Sequence, residues 1–449
     1  MKRVRKGLLP VVKGFLYCFV GLQIVLGLCY IGNQFMTVPL FRDTSIYLEM
    51  TEQFVMDEYT GLLYPLIVKI CHSIFQEFYY IPIYLLQLMA GLFCVYHFIC
   101  AFTEKKMSAA ICALWLNTIP FVAQVHVTVL PHSLAFTCLV LMLLEVVKGT
   151  VYRRPLLITE WAVLLCSFTI LAQLTRGYLW IGLAPVIWAV CLQLYAKTHK
   201  VLMCLVTFWI CVGITVCNLA IYYGTETEGY YGRIQNTPQA VFFQRTAIPI
   251  LSEKYMIYMP EEITECFTGA ELAMFGRYPY KLQNEMGPVL EARYGKEWAA
   301  EIYVELGCLG VETAAKDNLR SLTEDALSYA MPQLTYGTWR DGEVKGMTSW
   351  NYQQFTQEVP VLATAYSNIC HKLWLVGSCL AVVMLAVSAW QRKSLLVRVW
   401  LPTVIFLAIY GLLFALRGTD LYDYKLAVLP MVLGYAPMCC ILFLKKEKV

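Results

Sequence analysis

The chain has 449 residues and a formal net charge of +4, with 59% hydrophobic and only 15% charged residues, against roughly half and roughly a quarter in soluble domains. That balance excludes a soluble globular chain, a disordered tail and a collagen, and 18 cysteines are too sparse for a disulfide-stapled secreted scaffold. What remains is an all-α fold, a polytopic helical membrane protein, whose small net charge carries no sign of nucleic acid as a partner.

Apolar runs long enough to cross about 30 Å of hydrocarbon predict ten transmembrane helices: 10–32, 79–102, 107–125, 129–147, 157–175, 178–196, 201–223, 372–390, 399–416 and 424–444. The first follows MKRVRK, is longer than a signal-peptide core and precedes no small-x-small cleavage site, so it reads as a retained anchor. Alternation from a cytoplasmic N-terminus places 17 basic residues in the short inner segments, among them Lys2, Lys105, Arg154, Lys200, Arg392 and Lys446. The short outer segments hold five: Arg42, Lys69, Arg176, Arg417 and Lys425. The positive-inside rule therefore predicts both termini in the cytoplasm of a multi-pass cell-membrane protein.

Three parts follow: an N-terminal transmembrane module over 1–223 with an outer juxtamembrane loop at 33–78, an extracytoplasmic domain over 224–371, and a C-terminal transmembrane module over 372–449. In the loop, Ile46, Tyr47, Met50 and Phe54 share one helical face, and Leu62, Leu63, Leu66, Ile67 and Ile70 share another. Two amphipathic helices along the membrane surface are expected there. From Gly224 to Glu358 there are 19 acidic and 11 basic residues, the pattern of a soluble, mostly helical domain. Its prolines divide it into short helices, and Ser321 with Glu324 predicts a capping box ahead of Ala326, Leu327 and Ala330.

Most cysteines fall in the predicted spans, where a thiol packs as a small apolar group. Cys266 and Cys308 lie in the outer domain, as a bridge or as free thiols, and no spacing suggests zinc. The chain contains no Asn-x-Ser/Thr sequon, which favours a bacterial plasma membrane over a glycosylated lumenal face.

With the spans oriented, the polar residues at helix ends that topology does not explain are Asp43, His126, His132, Arg176, Arg417, Asp420, Asp423 and Lys425, all on the outer side. Charge beside a bilayer is costly enough to mark functional candidates. Asp43, in FRDTSIYLEM, is either a helix N-cap or a general base for an incoming hydroxyl. Arg176, Arg417 and Lys425 are each explained by interface anchoring, yet together they suit a lipid phosphate. His126 and His132 flank the turn VHVTVLPHS, where a satisfied polar role outweighs metal binding or catalysis. Tyr222, Tyr223, Tyr230 and Tyr231 read as an interfacial aromatic belt, with sugar stacking as the alternative.

This arrangement resembles the GT-C glycosyltransferases that use polyprenyl-phosphate sugars, such as protein O-mannosyltransferases and the lipid A aminoarabinose transferase. The match is carried by the short basic tail, one helix, then Asp43 and Tyr47 in D-x-x-x-Y spacing, Glu49 and LLYPLI from Leu62 to Ile67. It extends to LTRGYLW around Arg176 and YKLAVLP with Tyr424, Lys425 and Pro430. Relatives tend to have an Arg-Tyr pair where this chain has Tyr424 then Lys425, and an acidic residue where it has His132.

The resemblance implies a GT-C-like fold and inverting transfer of a sugar to an acceptor hydroxyl at the outer membrane face. Asp43 would be the base, and Tyr47, His132, Arg176, Arg417, Tyr424 and Lys425 would contact substrate. Its partners would be a polyprenyl-phosphate sugar donor, a glycan, lipid or protein acceptor, and membrane lipids. A lipid-phosphate donor brings no nucleotide diphosphate and so requires no metal cofactor, although Asp420 and Asp423 leave room for a divalent ion. The competing readings are an O-antigen polymerase or ligase, with Asp43 as a cap only, a lipid or solute transporter, and a scaffold. Transport fits less well, because the charged candidates sit at helix ends rather than at the bilayer midplane.

Overall fold

The computed structural model describes residues 2–36, 47, 61, 63–101, 105–152, 154–174, 179–195, 201–224, 246–251, 253–277, 285–330, 369, 372 and 376. Among these no strand occurs, and they fall into two compact units, one holding those up to Ala220 together with 369, 372 and 376, and one running from Ile221 to Ala330.

The first unit contains α1 (Lys2–Met36), α2 (Leu63–Phe75), α3 (Tyr80–Cys100), α4 (Lys106–Thr118), α5 (Pro120–His126), α6 (His132–Tyr152), α7 (Ile158–Leu174), α8 (Leu179–Tyr195) and most of α9 (Val201–Gly224). Helices thus cover the first seven predicted spans. Those at 372–390, 399–416 and 424–444 lie outside the described residues, apart from single positions. Tyr80–Cys100, His132–Thr150 and Val201–Asn218 are long and apolar enough to cross a membrane, and Tyr17–Gly32, Ile158–Leu174 and Gly182–Tyr195 are shorter apolar helices. These features suit a helical membrane protein.

Helix α6 is the centre of this unit, packed against α3, α7 and α8. Phe136, Leu139, Val140, Leu143, Val146 and Val147 are all buried, as expected for a helix that is apolar around its circumference. Helix α1 crosses α4 where Gly27 meets the backbone carbonyl of Thr118, a contact that any Cβ would block. Trp115 of α4 donates its indole N–H to Gln23 Oε1 of α1 at 2.6 Å, so a polar pair buried between apolar helices satisfies itself.

One expectation is corrected here. The span expected at 107–125 is broken: Ile119 is extended at φ −54°, ψ 125°, and Pro120 begins α5 as a separate seven-residue helix. The steric cause is proline, which pushes its predecessor out of the helical region and suits a first helical position. The amphipathic stretch after Leu62 forms the helix expected there, α2, and Tyr64, Pro65 and Val68 on its other side are buried, packed on α3 and α7. Leu66, Ile70, Ile74 and Phe75 remain exposed, a face suited to lipid.

In the second unit, the turns Ile248–Ile250 and Glu253–Tyr258 lead to α10 (Glu261–Cys266), α11 (Gly269–Arg277), α12 (Gly287–Tyr294), α13 (Lys296–Thr313) and α14 (Ala315–Ala330). Ala299, Ile302, Tyr303 and Leu306 follow helical spacing on α13 and pack with Ile250, Ile263, Leu272, Phe275 and Leu290. Gly310 extends that face where the Thr246 backbone presses in, and Asn318 donates to the carbonyls of Thr246 at 3.0 Å and Gly310 at 2.8 Å.

The capping box expected at Ser321 and Glu324 is also corrected: both lie inside α14, which starts at Ala315 because nothing between Ala315 and Arg320 breaks a helix. A box does form at α11. The Thr268 backbone N–H donates to Glu271 Oε2 at 2.8 Å, and the Glu271 N–H donates to Thr268 Oγ1 at 3.3 Å. Cys266 and Cys308 are free thiols.

Candidate functional site

The break at Pro120 brings the ends of three helices together. Asn117 lies in the last turn of α4, His126 ends α5, and Ser133 is the second residue of α6, and all three are buried. His126 Nε2 is 3.0 Å from Asn117 Oδ1, and His126 Nδ1 is 2.7 Å from Ser133 Oγ. Asn117 uses its own Nδ2 to donate to the Ala113 carbonyl at 2.8 Å, so its oxygen faces the ring. Nε2 therefore carries the proton and Nδ1 accepts from the serine hydroxyl. Burial pushes the His126 imidazole down to about 4, which keeps it neutral, with both nitrogens committed.

Gly91 of α3 admits this ring: a Cβ there would lie 2.5 Å from His126 Cε1 and 2.9 Å from Asn117 Oδ1. One turn earlier, Gln87 donates to the carbonyls of His126 and Thr128, both at 2.8 Å. Its Oε1 accepts from the Tyr64 hydroxyl at 3.1 Å. A buried polar network thus ties α2, α3, α4, α5 and α6 at one end of the bundle, where polar groups must pair to avoid a desolvation penalty.

A tyrosine cluster continues from this network. Tyr47 is buried with its ring 5.2 Å from that of Tyr64, and Tyr80 stands 5.6 Å from Tyr84 and 6.1 Å from Tyr79, each edge to face. Phe35 of α1 closes on Tyr84 at 5.6 Å. Burial, then the nearby Tyr47, Tyr79 and Cys71, hold the Tyr64 phenol well above its ordinary range. The hydroxyl oxygens of Tyr79 and Tyr84 are buried and lack a hydrogen-bond partner.

At the opposite end of the bundle, Arg154 grips Glu160 with two bonds of 2.8 and 2.6 Å, and Lys148 pairs with Glu145 at 2.8 Å. Lys105 and Lys106 lie at this same end, where α4 begins.

Of the residues expected from sequence, Asp43, Arg176, Arg417, Asp420, Asp423, Tyr424 and Lys425 lie outside the described residues, as do Tyr230 and Tyr231. Tyr47 is in the tyrosine cluster. His126 is the satisfied polar residue that the bland reading expected. His132, the first residue of α6, is half-buried and engaged by neighbouring groups. The sequence reading missed Gln87, Asn117 and Ser133, although Gln87 interrupts an apolar helix and Asn117 stands three residues before a proline. Among the described residues, no group of three His, Cys, Asp or Glu side chains could hold a metal.

Comparison with known proteins finds no match: no family model fits the sequence, and no curated protein or solved structure is significantly similar to it. The class defined by the described residues is therefore an all-helical protein with membrane-length apolar helices.

Proposed function

We propose that this chain is an integral membrane glycosyltransferase that moves a sugar from a polyprenyl-phosphate donor to an acceptor hydroxyl at the extracytoplasmic face. Asp43 takes the proton as the acceptor oxygen attacks the anomeric carbon, and the bond to phosphate breaks on the opposite side, inverting that centre. Arg176, with Arg417 or Lys425, stabilises the charge growing on the departing phosphate. Tyr47, His132 and Tyr424 complete the substrate contacts. The acidic domain after α9 selects the acceptor.

The observation that carries this reading is the anchoring of Tyr47, four residues after Asp43 in the chain. Its ring is buried against Tyr64, whose hydroxyl is bonded through Gln87 to the turn after α5. The network fixes Tyr47, and positioned proton transfer needs rigid support of this kind in the loop that carries the base. The basic residues gathered at the opposite end support a cytoplasmic assignment of that end.

The test compares surface glycans and polyprenyl-phosphate sugars by mass spectrometry in deletion cells complemented with wild type or Asp43→Asn. Wild type alone should consume one sugar-lipid and add that sugar to a glycan. Equal restoration by both proteins would refute Asp43 as the base and bring the polymerase and transport readings forward.

A further inference from the structure

Helix α13 buries one face and leaves the other bare. Ala299, Ile302, Tyr303 and Leu306 enter the core of the second unit, whereas Glu297, Trp298, Glu301, Val304, Glu305 and Val311 are exposed. At about 3.6 residues per turn, the three carboxylates form a ridge with Trp298 on one flank and Val304 and Val311 on the other. Trp298 is 49% and Val311 45% exposed. The face runs over about 20 Å, the length of a four-turn partner helix.

Two features set this face apart from an ordinary solvated helix surface. A solvated helix gains from a lysine or arginine one turn after each glutamate, yet Glu297 is followed one turn later by Glu301 and that by Glu305, like-charge neighbours that weaken a helix. Exposed carboxylates elsewhere in the unit are engaged: Glu265 pairs with Arg293 at 2.8 Å, and Glu271 caps α11. Among the described residues, no ion pair or hydrogen bond engages the side chains of the α13 ridge. The second feature is the half-exposed Trp298 beside that ridge, since tryptophan is the residue type that anchors interfaces once a partner covers it.

Charge selects the occupant. The ridge lies in a stretch with 19 acidic and 11 basic residues, so it repels an anionic lipid surface, a nucleic acid and the same face of a second copy of the chain. A row of lysines and arginines meets it favourably, and their aliphatic stems suit the apolar flanks.

We propose that the exposed face of α13 docks a cationic amphipathic helix of another protein, whose basic side chains meet Glu297, Glu301 and Glu305 while its apolar ones cover Trp298, Val304 and Val311. This goes beyond the glycosyltransferase reading and does not depend on it.

The test uses the full chain in zwitterionic lipid nanodiscs. The probe is a four-turn helical peptide of leucine and lysine with both residue types on its binding face and one leucine replaced by a photoreactive analogue. Empty nanodiscs, a scrambled peptide of the same composition and a peptide with glutamate in place of lysine are the references. Wild type should bind the ordered peptide more tightly than the scrambled one, ignore the glutamate peptide, and cross-link within α13 by peptide mapping. Trp298→Ala should weaken the ordered peptide about tenfold. Glu301→Gln with Glu305→Gln should weaken it about fivefold and flatten its salt dependence. That pair relieves like-charge repulsion and so should melt no lower than wild type, which separates lost binding from lost fold.

Glu261→Gln with Glu262→Gln removes the same charge outside the face and should leave affinity unchanged. Equal weakening by this control pair overturns the proposal in favour of diffuse domain charge. Equal binding of the scrambled peptide, cross-links outside α13, or no binding of the ordered peptide by wild type overturns it as well, and none of these outcomes touches the glycosyltransferase reading.

Discussion

Gly91→Ala tests the polar network most directly, because the perturbation is one methyl group at a defined place. The added carbon would sit 2.5 Å from His126 Cε1, more than 1 Å inside the roughly 3.5–4.0 Å of a normal carbon contact. The ring cannot swing aside freely, since it is bonded at 3.0 Å to Asn117 and at 2.7 Å to Ser133. Overpacking costs about 2 kcal/mol and displaced buried hydrogen bonds about 2 kcal/mol more, while alanine in place of glycine returns about 1 kcal/mol of helix propensity. The net cost is about 3 kcal/mol, roughly 6–12 °C in melting temperature. A thiol-reactive fluorophore, reporting exposure of the buried Cys94, Cys112 and Cys138 on heating the purified protein, reads this directly. Gly213→Ala on α9, where a Cβ meets nothing within 4 Å, is the control and should melt at or above wild type. A Gly91→Ala protein as stable as that control would refute the packing described around His126.

His126, pushed down to about 4 from an ordinary value of about 6.5, makes a stability contribution that is complete above about pH 6.5 and is lost as pH falls towards 4. The loss is about 3 kcal/mol, and the fall in melting temperature between pH 7.5 and 4.5 should be smaller in His126→Asn. Arg154→Ala should destabilise the first unit by about 3 kcal/mol, because Glu160, whose side chain is 8% exposed, keeps a buried charge. Arg154→Met with Glu160→Leu should cost less than Arg154→Ala alone, as a double-mutant cycle would measure. In the second unit, the Thr268 backbone N–H, then its hydroxyl, hold the Glu271 carboxyl below its usual range. Its stabilisation is therefore complete above the ordinary carboxylate value and lost as pH falls through the lowered one. Glu271→Gln should speed hydrogen exchange at the Thr268 amide at pH 7 and make that exchange less sensitive to acid.

Hydropathy alone located the helices of the first unit because membrane-length apolar runs are a one-dimensional signal. Local stereochemistry was also legible in principle: Pro120 ends α4 at its predecessor, and Thr268-x-x-Glu271 has the same capping pattern that was assigned to Ser321 and Glu324. The error at Ser321 arose because a capping pattern is also compatible with a helix interior, and between Ala315 and Ser321 there is no Gly or Pro to stop the helix from starting earlier. After Leu62, spacing gave an apolar face of Leu62, Leu63, Leu66, Ile67 and Ile70 for the membrane surface, of which Leu66 and Ile70 are exposed on α2, but it gave no sign that Tyr64 and Val68 pack into the bundle. Where lipid accepts apolar side chains as readily as a protein core does, periodicity does not say which face is inside.

The sequence by itself determined that the protein is helical, that its apolar segments are of membrane length and that its basic residues segregate to alternate connections. Each follows from composition and spacing along one chain. Only the tertiary structure decided that Asn117, His126 and Ser133 share a hydrogen-bonded core, that Gly91 makes room for it, and that Tyr47, Tyr64, Tyr79, Tyr80 and Tyr84 gather in one cluster. Those residues come from different helices and the chain between them, and pairing of buried polar groups is a property of three-dimensional neighbours.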